Sequence, residues 1–221
     1  MSISRVGVVG LIAFVVASSA RAQSGSTVPP RRFGIELGGN SSTFGGSDAS
    51  GSERRTGFLA GALAVLPFST TIAFEPELVY SMKGANAHDP EDPTVSGTVK
   101  IGYLQIPALV RFELAAATVG PHPFIYAGPA LGFKTSCSFE LHAQGFNVNS
   151  SCDDLETEAG GKINSTDFSL IGGAGIAFNM GGRTVGLAVR YDHSLTKIAD
   201  QGDLKHRVIS LLATIEFPSG R

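Results

Sequence analysis

Residues 103–114 have the sequence Tyr-Leu-Gln-Ile-Pro-Ala-Leu-Val-Arg-Phe-Glu-Leu, in which apolar and polar side chains alternate. One set consists of Leu104, Ile106, Ala108, Val110, Phe112 and Leu114, and the opposing set includes Tyr103, Gln105, Arg111 and Glu113. Successive side chains of a β-strand point to opposite faces, so a repeat of two predicts a strand. This strand has one apolar and one polar face.

The same alternation recurs along the chain. Together with the first segment, the predicted strands are residues 33–39, 57–66, 72–83, 103–114, 124–134, 168–178, 185–192 and 209–217, of which 57–66 is apolar on both faces. The connections are long at 40–56, 84–97, 135–165 and 194–205, and short at 67–71, 115–121 and 179–183. Transmembrane barrels have short periplasmic turns and longer external loops. The sequence predicts an all-β fold: an eight-stranded antiparallel up-and-down transmembrane β-barrel with long extracellular loops.

Composition indicates one modest domain and excludes one class of partner. The 221 residues are 43% hydrophobic, include 28 glycines and carry a formal net charge of -2. Lys and Arg number 17 against 19 Asp and Glu, and they form no basic cluster. A nucleic-acid phosphate backbone would require such a cluster, so nucleic acid is not a predicted partner.

The first 22 residues have the organisation of a secretory signal peptide. Arg5 provides the positive charge, residues 6–17 the apolar stretch, and Ala20-Arg21-Ala22 a small-x-small cleavage site. The predicted domains are the signal peptide 1–22, a periplasmic N-terminal segment 23–32, the outer-membrane barrel 33–217 and a C-terminal tail 218–221. A retained anchor helix is the alternative, but the apolar stretch is shorter than the roughly 20 residues that span a bilayer.

Charged residues recur on the polar faces of the predicted strands. They are Glu75, Glu77, Lys83, Arg111, Glu113, Arg190 and Asp192. The two signs are balanced, as a salt-bridged lumen would need. Because side chains fill the interior of an eight-stranded barrel, we expect these residues to form a structural charge network. An ion or proton path through the lumen is the alternative function.

A soluble secreted barrel that binds an apolar ligand in its cavity is a second interpretation of the alternation. Such a protein buries its apolar face and exposes its polar one. Alternation alone does not distinguish inside from outside, but mid-strand charges of both signs favour the membrane. Glu75, Glu77 and Arg111 discriminate between the two, since a cavity for apolar ligands would leave them in water.

Cys137 and Cys152 are the only cysteines and lie in the longest predicted loop, 135–165. In an oxidising compartment they can pair, so we expect a disulfide that closes this loop, with two unpaired thiols as the alternative. Two cysteines separated by 14 residues without a neighbouring histidine are a poor zinc pattern. A function of the loops would involve this segment, because it is long and covalently constrained.

Candidate catalytic and metal-binding groups are few. Residues 87–93, Ala-His-Asp-Pro-Glu-Asp-Pro, are acidic but lack the ligand spacing of a calcium loop. Asp192, His193 and His206 are predicted near one outer rim, yet the sequence singles out no serine or cysteine nucleophile. We therefore predict no catalytic, cofactor or metal site, and an enzyme sited at the outer rim is the third alternative.

Four segments carry a resemblance that goes beyond alternation. They are residues 74–84 (Phe-Glu-Pro-Glu-Leu-Val-Tyr-Ser-Met-Lys-Gly), 103–112 (Tyr-Leu-Gln-Ile-Pro-Ala-Leu-Val-Arg-Phe), 124–133 (Phe-Ile-Tyr-Ala-Gly-Pro-Ala-Leu-Gly-Phe) and 168–178 (Phe-Ser-Leu-Ile-Gly-Gly-Ala-Gly-Ile-Ala-Phe), followed by Arg190-Tyr191. In this order they resemble the PorT-type outer-membrane β-barrel family.

The resemblance implies an eight-stranded barrel of Bacteroidetes-like and related Gram-negative bacteria, with no shared catalytic residues. Its location would be the cell outer membrane, in contact with lipid and delivered by the barrel-assembly machinery. The namesake of the family is tied to a protein-secretion apparatus. A protein of that apparatus, or another extracellular protein, is therefore a candidate partner.

Overall fold

The structure is a computed structural model that describes residues 28–49, 51–88, 95–114, 120–143, 146–152, 163–199 and 202–219. The predicted signal peptide 1–22 lies outside the described residues, as do most of the link 115–121 and of the acidic segment 87–93. Within the described ranges, no helix is long and apolar enough to cross a membrane.

Ten strands occur in the described residues. They are β1 (Arg32–Gly45), β2 (Ser52–Glu53), β3 (Arg55–Pro67), β4 (Ile72–His88), β5 (Ser96–Glu113), β6 (Pro121–Ala143), β7 (Phe146–Ser151), β8 (Thr166–Met180), β9 (Arg183–Ser194) and β10 (Lys205–Pro218). Eight of them, β1, β3, β4, β5, β6, β8, β9 and β10, pair antiparallel in that order. β1 also pairs with β10, from Arg32↔Pro218 to Gly45↔Lys205, and closes the barrel. The predicted eight-stranded antiparallel barrel is confirmed.

The barrel wall is apolar outside and polar inside. Leu37 and Leu211 are 60% and 65% exposed on its outer surface, whereas Arg111 and Glu216 are buried in the lumen. An apolar surface around a charged interior is unfavourable in water and favourable in lipid. The soluble-barrel alternative is therefore wrong, because it requires the apolar face to lie inside.

Short turns join the strands at the end of the barrel where β1 begins and β10 ends. Gly181 and Gly182 alone connect β8 to β9, with φ angles of 59° and 81°. Both angles lie in the left-handed region, which glycine adopts without steric cost and which a two-residue hairpin turn needs. In the turn between β3 and β4, the hydroxyl of Ser69 accepts hydrogen bonds from the amides of Thr71 and Ile72, at 3.2 and 3.0 Å.

The long external loops are shorter than predicted because the strands continue into them. β1 extends to Gly45, β4 to His88 and β6 to Ala143, past the predicted ends at 39, 83 and 134, and β5 begins at Ser96 rather than 103. The short strands β2 and β7 pair with β4 and β6. We call this extension the outer sheet: β2, residues 84–88 of β4, 96–102 of β5, 136–143 of β6, and β7.

A disulfide joins Cys137 in β6 to Cys152, the residue after β7, with the two Cα atoms 5.3 Å apart. β7 is also paired with β6 from Ala143↔Phe146 to Ser138↔Ser151. The disulfide thus fastens the end of β7 that lies nearest to the barrel. The covalent constraint expected in segment 135–165 holds one strand of the outer sheet on another.

Candidate functional site

The described residues form three ion-pair clusters in the lumen, and the first lies at the end of the barrel where β1 begins and β10 ends. The guanidinium of Arg111 contacts Glu75 at 2.8 Å, Glu216 at 3.0 Å and Glu113 at 3.0 Å. Arg32 contacts the same Glu216 at 2.6 Å and the same Glu113 at 3.2 Å. Two arginines and two glutamates therefore form a closed ring, with Glu75 as a third carboxylate. Shared contacts of this kind restrict the orientation of the charged side chains.

The second cluster is centred on Arg190 of β9. Its Nη2 donates hydrogen bonds to Glu77 at 2.7 Å and to Glu36 at 3.3 Å. Its Nε donates to the phenol oxygen of Tyr126 at 3.2 Å. All four side chains are buried, so the cluster replaces water around the guanidinium with fixed acceptors.

The third cluster lies towards the outer end of the lumen. The ammonium of Lys83 contacts Asp192 at 2.8 Å and Asp167 at 3.0 Å. The amide of Gln105 donates to Asp192 at 3.1 Å, and the hydroxyl of Ser194 donates to Asp167 at 2.9 Å. Lys83 is completely buried, so these oxygens take the place of its hydration shell.

The lumen carries more acid than the sequence predicted. All seven predicted residues lie in the three clusters, but the structure adds Arg32, Glu36, Asp167 and Glu216. In each cluster the carboxylates outnumber the cations by one, so the expected balance of sign is wrong. Period-two alternation places Glu36, Asp167 and Glu216 on the polar faces of their strands, and extending the same rule would have found them.

Little space remains between the clusters. The first and second clusters are separated by a cavity of about 10 Å³, lined by Glu36, Arg111 and Thr214 among others. A cavity needs about 10–15 Å³ to hold one water molecule. The lumen at this level is therefore filled by side chains, as expected for an eight-stranded barrel.

An apolar layer covers the outer end of the lumen. Ile101, Tyr103 and Ile198 are buried there, and Phe44, Val99, Cys137, Ile163 and Leu204 pack against them. The ring of His206 lies in this layer, with centroids 5.5 Å from the rings of Phe44 and Tyr103. We call this group the apolar plug. It lies directly above the Lys83 cluster and includes Val99, Ile101 and Cys137 from the base of the outer sheet.

The two histidines predicted at one rim do not meet. His206 is buried inside the barrel, whereas His193 stacks on Tyr191 at the outer surface, with ring centroids 6.1 Å apart. The prediction that both approach one site is wrong, because β9 and β10 turn these two side chains to opposite faces. His88 pairs with Glu53 at 3.0 Å in the outer sheet. Among the residues described, no group of three His, Cys, Asp or Glu side chains could hold a metal ion.

The outer sheet reverses the polarity of the barrel wall. On the inner face Val99 belongs to the apolar plug, and Phe139, its partner in β6, lies on the same face. The neighbouring residues Lys100 and Glu140 point outward and form an ion pair. The hydrogen bond from Lys100 lowers the pKa of the Glu140 carboxyl. The sheet is thus polar towards the outside water and apolar towards the barrel mouth.

A closed eight-stranded barrel with an apolar belt, a charged lumen and strands that continue past the belt is an integral outer membrane barrel. The family model described as outer membrane protein beta-barrel domain matches residues 21–200, and the chain belongs to that family. The protein is therefore located in the outer membrane. A search of curated protein sequences returns no significant match.

Solved outer membrane barrels resemble the chain weakly in sequence. Neisserial surface protein A is 13% identical, with 85% of this chain and 97% of that one covered and a TM-score of 0.46. Ail, the attachment invasion locus protein of Yersinia pestis, is 17% identical, with 86% and 100% covered and a TM-score of 0.43. OprG from Pseudomonas aeruginosa is 13% identical, with 86% and 97% covered and a TM-score of 0.49.

Proposed function

We propose that the chain is a closed outer membrane barrel that presents its outer sheet to partners outside the cell. The observation that carries this proposal is the contrast between a filled lumen and an extended outer end. β4, β5 and β6 continue past the membrane-spanning section, and a disulfide holds β7 on them. A rigid sheet raised above a membrane is suited to surface contact.

The filled lumen supports a structural role for the charges rather than an ion path. A path would have to cross the Arg111 and Arg190 clusters and then the apolar plug, where Ile101 is fully buried. Moving an ion through these layers would break buried ion pairs, which is costly. We expect purified protein in planar lipid bilayers to show no stepwise conductance; a steady open level in every preparation would refute the closed barrel.

The sequence supports further proposals about export, membrane insertion and the partner. We propose that residues 1–22 direct export and that the barrel-assembly machinery inserts the protein. The PorT-type resemblance supports a protein of a secretion apparatus as one candidate partner of the outer sheet. We propose no catalytic role, since His193 and His206 lie on opposite faces of the barrel wall.

Thiol labelling on intact cells tests the presented surface. Phe146 in β7 and Phe68 in the β3–β4 turn are 76% and 70% exposed, at opposite ends of the molecule. Phe146→Cys should react with a membrane-impermeant maleimide on intact cells. Phe68→Cys, the matched control, should react only after the outer membrane is permeabilised. Labelling of Phe68→Cys alone on intact cells would reverse the proposed orientation.

A further inference from the structure

We propose that the base of the outer sheet binds a small uncharged apolar ligand, of the size of one aromatic ring or a short alkyl chain. The site is a cavity of about 180 Å³ between the inner face of the outer sheet and the apolar plug. Its apolar walls are formed by Phe44, Ala85, Val99, Phe139 and Leu204. This inference rests on the proposed function in one respect, because the proposed orientation of the barrel places the cavity outside the cell.

The volume sets the size of the ligand. An engineered apolar cavity of about 150 Å³ in another protein is large enough to bind benzene. The cavity under the outer sheet is of similar size, and its lining includes two phenyl rings, from Phe44 of β1 and Phe139 of β6. Aromatic walls favour an aromatic guest through stacking or edge-to-face contacts.

The polar groups of the cavity are mostly satisfied within the protein. The hydroxyl of Ser52 accepts a hydrogen bond from the amide of Phe44 at 3.1 Å, and the carbonyl oxygen of the Asn86 side chain accepts one from Thr98 at 3.1 Å. A ligand therefore needs few hydrogen bonds to enter. The affinity would come from the removal of apolar surface from water.

One charge lies at the cavity and selects against anions. Asp48 is the charged side chain among the described residues that line it, and its Oδ2 accepts a hydrogen bond from the amide of Asp203 at 2.8 Å. A carboxylate ligand would be repelled by Asp48, whereas an uncharged ring would not. Neutral compounds should bind better than anionic compounds of the same shape.

The floor of the cavity is closed, so the cavity is a binding site and not an entrance to the barrel lumen. Val99, Phe44 and Leu204 belong both to the cavity wall and to the apolar plug. Beneath them Ile101 is completely buried, and the charged Lys83 cluster follows. An apolar ligand that reached this floor would meet buried charge below it, so it should bind and leave by the outer side.

Two substitutions on β5 test the site. A Cβ added at Gly97 would lie 3.5 Å from the ring of Phe139, an ordinary contact, so Gly97→Leu should fold and fill the cavity. Ser96→Leu, its matched control, adds the same side chain on the opposite face of the sheet. A third variant, Phe139→Ala on β6, removes one aromatic wall and keeps the space open.

The probe is 4-fluorobenzyl alcohol, followed by fluorine NMR with the full-length protein in lipid nanodiscs, and empty nanodiscs give the background. We expect saturable binding to the wild type and to Ser96→Leu, about tenfold weaker binding to Gly97→Leu and Phe139→Ala, and weaker binding of 4-fluorobenzoate. Binding to Gly97→Leu equal to that of the wild type, or no signal above empty nanodiscs, would overturn the site. If Phe146→Cys still reacts on intact cells in that case, the site alone has failed and the surface role stands.

Discussion

β4, β5 and β6 run through both the membrane-spanning section and the outer sheet, yet their two faces have opposite polarity in the two regions. On β5, Leu104 and Ile106 point outward to lipid, and eight residues before Ile106 the outward side chain is Thr98. The inner face changes in the other direction, from Gln105 in the lumen to Val99 at the barrel mouth. Alternation therefore encodes the strand, and the medium outside decides which face is apolar.

The reversal occurs at one level of the wall. Lys83 pairs with Ile101 across β4 and β5, and on the next strand Cys137 pairs with Ile101. Gly84, with φ of 148°, follows Lys83, and a Cβ there would collide with the carbonyl oxygen of Val99. Below this level buried ion pairs hold the interior together, and above it apolar contacts and a disulfide do so. The two regions should respond differently to the same kind of substitution.

Removal of a lumen cation should have the largest effect. Arg111→Ala leaves Glu75, Glu113 and Glu216 without their common partner, and breaking a buried ion pair in this way costs about 3–5 kcal/mol. We expect a lower urea midpoint for unfolding in lipid, followed by heat-modified mobility on a gel. Arg207→Ala, at an exposed position of β10, should change stability by no more than about 0.5 kcal/mol. Equal midpoints for the two variants would contradict a structural role for the cluster.

The second-largest effect should come from a positive charge on the outer face of β5, and it should differ between the membrane-spanning section and the outer sheet. Ile106→Lys puts an ammonium into the lipid belt, where it costs about 2–4 kcal/mol at the bilayer midplane. Ser96→Lys, ten residues earlier on the same face, places it in water and should be close to neutral. The free energy of unfolding in phospholipid vesicles measures both. A comparable loss in Ser96→Lys would mean that the membrane extends over the outer sheet.

The disulfide should matter to the outer sheet and hardly to the barrel. Replacing Cys137 and Cys152 together by serine removes the covalent tie of β7, and a loop of about 15 residues closed by a disulfide contributes about 3 kcal/mol. Amide exchange in β7 should therefore accelerate by up to about 100-fold, while the barrel strands exchange as before. Faster exchange in β1 and β10 to the same degree would show that the two regions unfold as one unit.

The reversal of polarity explains what the sequence could and could not predict. The eight barrel strands were predictable because lipid keeps one face of each apolar over several residues. On β5 the apolar residues fall at 99 and 101, then at 104 and 106, so the repeat shifts by one position at Gly102 and Tyr103. A shift in phase has the appearance of a strand end, and for this reason the outer sheet was predicted as loops.

Seven members of the lumen network were predictable, because charges at mid-strand positions need an interior with partners. Arg32 was missed, since it stands before the first alternating segment, and its role depends on β10 bringing Glu216 beside it. His206 was predicted at the rim, yet it is buried in the apolar plug. Its position depends on how far β10 continues past the membrane belt, which local alternation does not specify.

Loss of the ion pair between Lys100 and Glu140 should have the smallest effect on the stability of the outer sheet. The pH dependence of this effect has a definite sign. The two residues form an ion pair on the outer face of the outer sheet, and Lys100 lowers the pKa of Glu140. A lowered pKa means that the pair stabilises the sheet above the ordinary glutamate range of about 4.3 and that this contribution is lost as the pH falls through the lowered value. Amide protection at the β5–β6 pairs should be greater in the wild type than in Lys100→Ala by a small, constant factor from about pH 5 to 8, and the difference should disappear once the pH has fallen below the lowered pKa of Glu140. A difference that grows on acidification would assign the effect to another group, because protonation of Glu140 can only remove the attraction to Lys100.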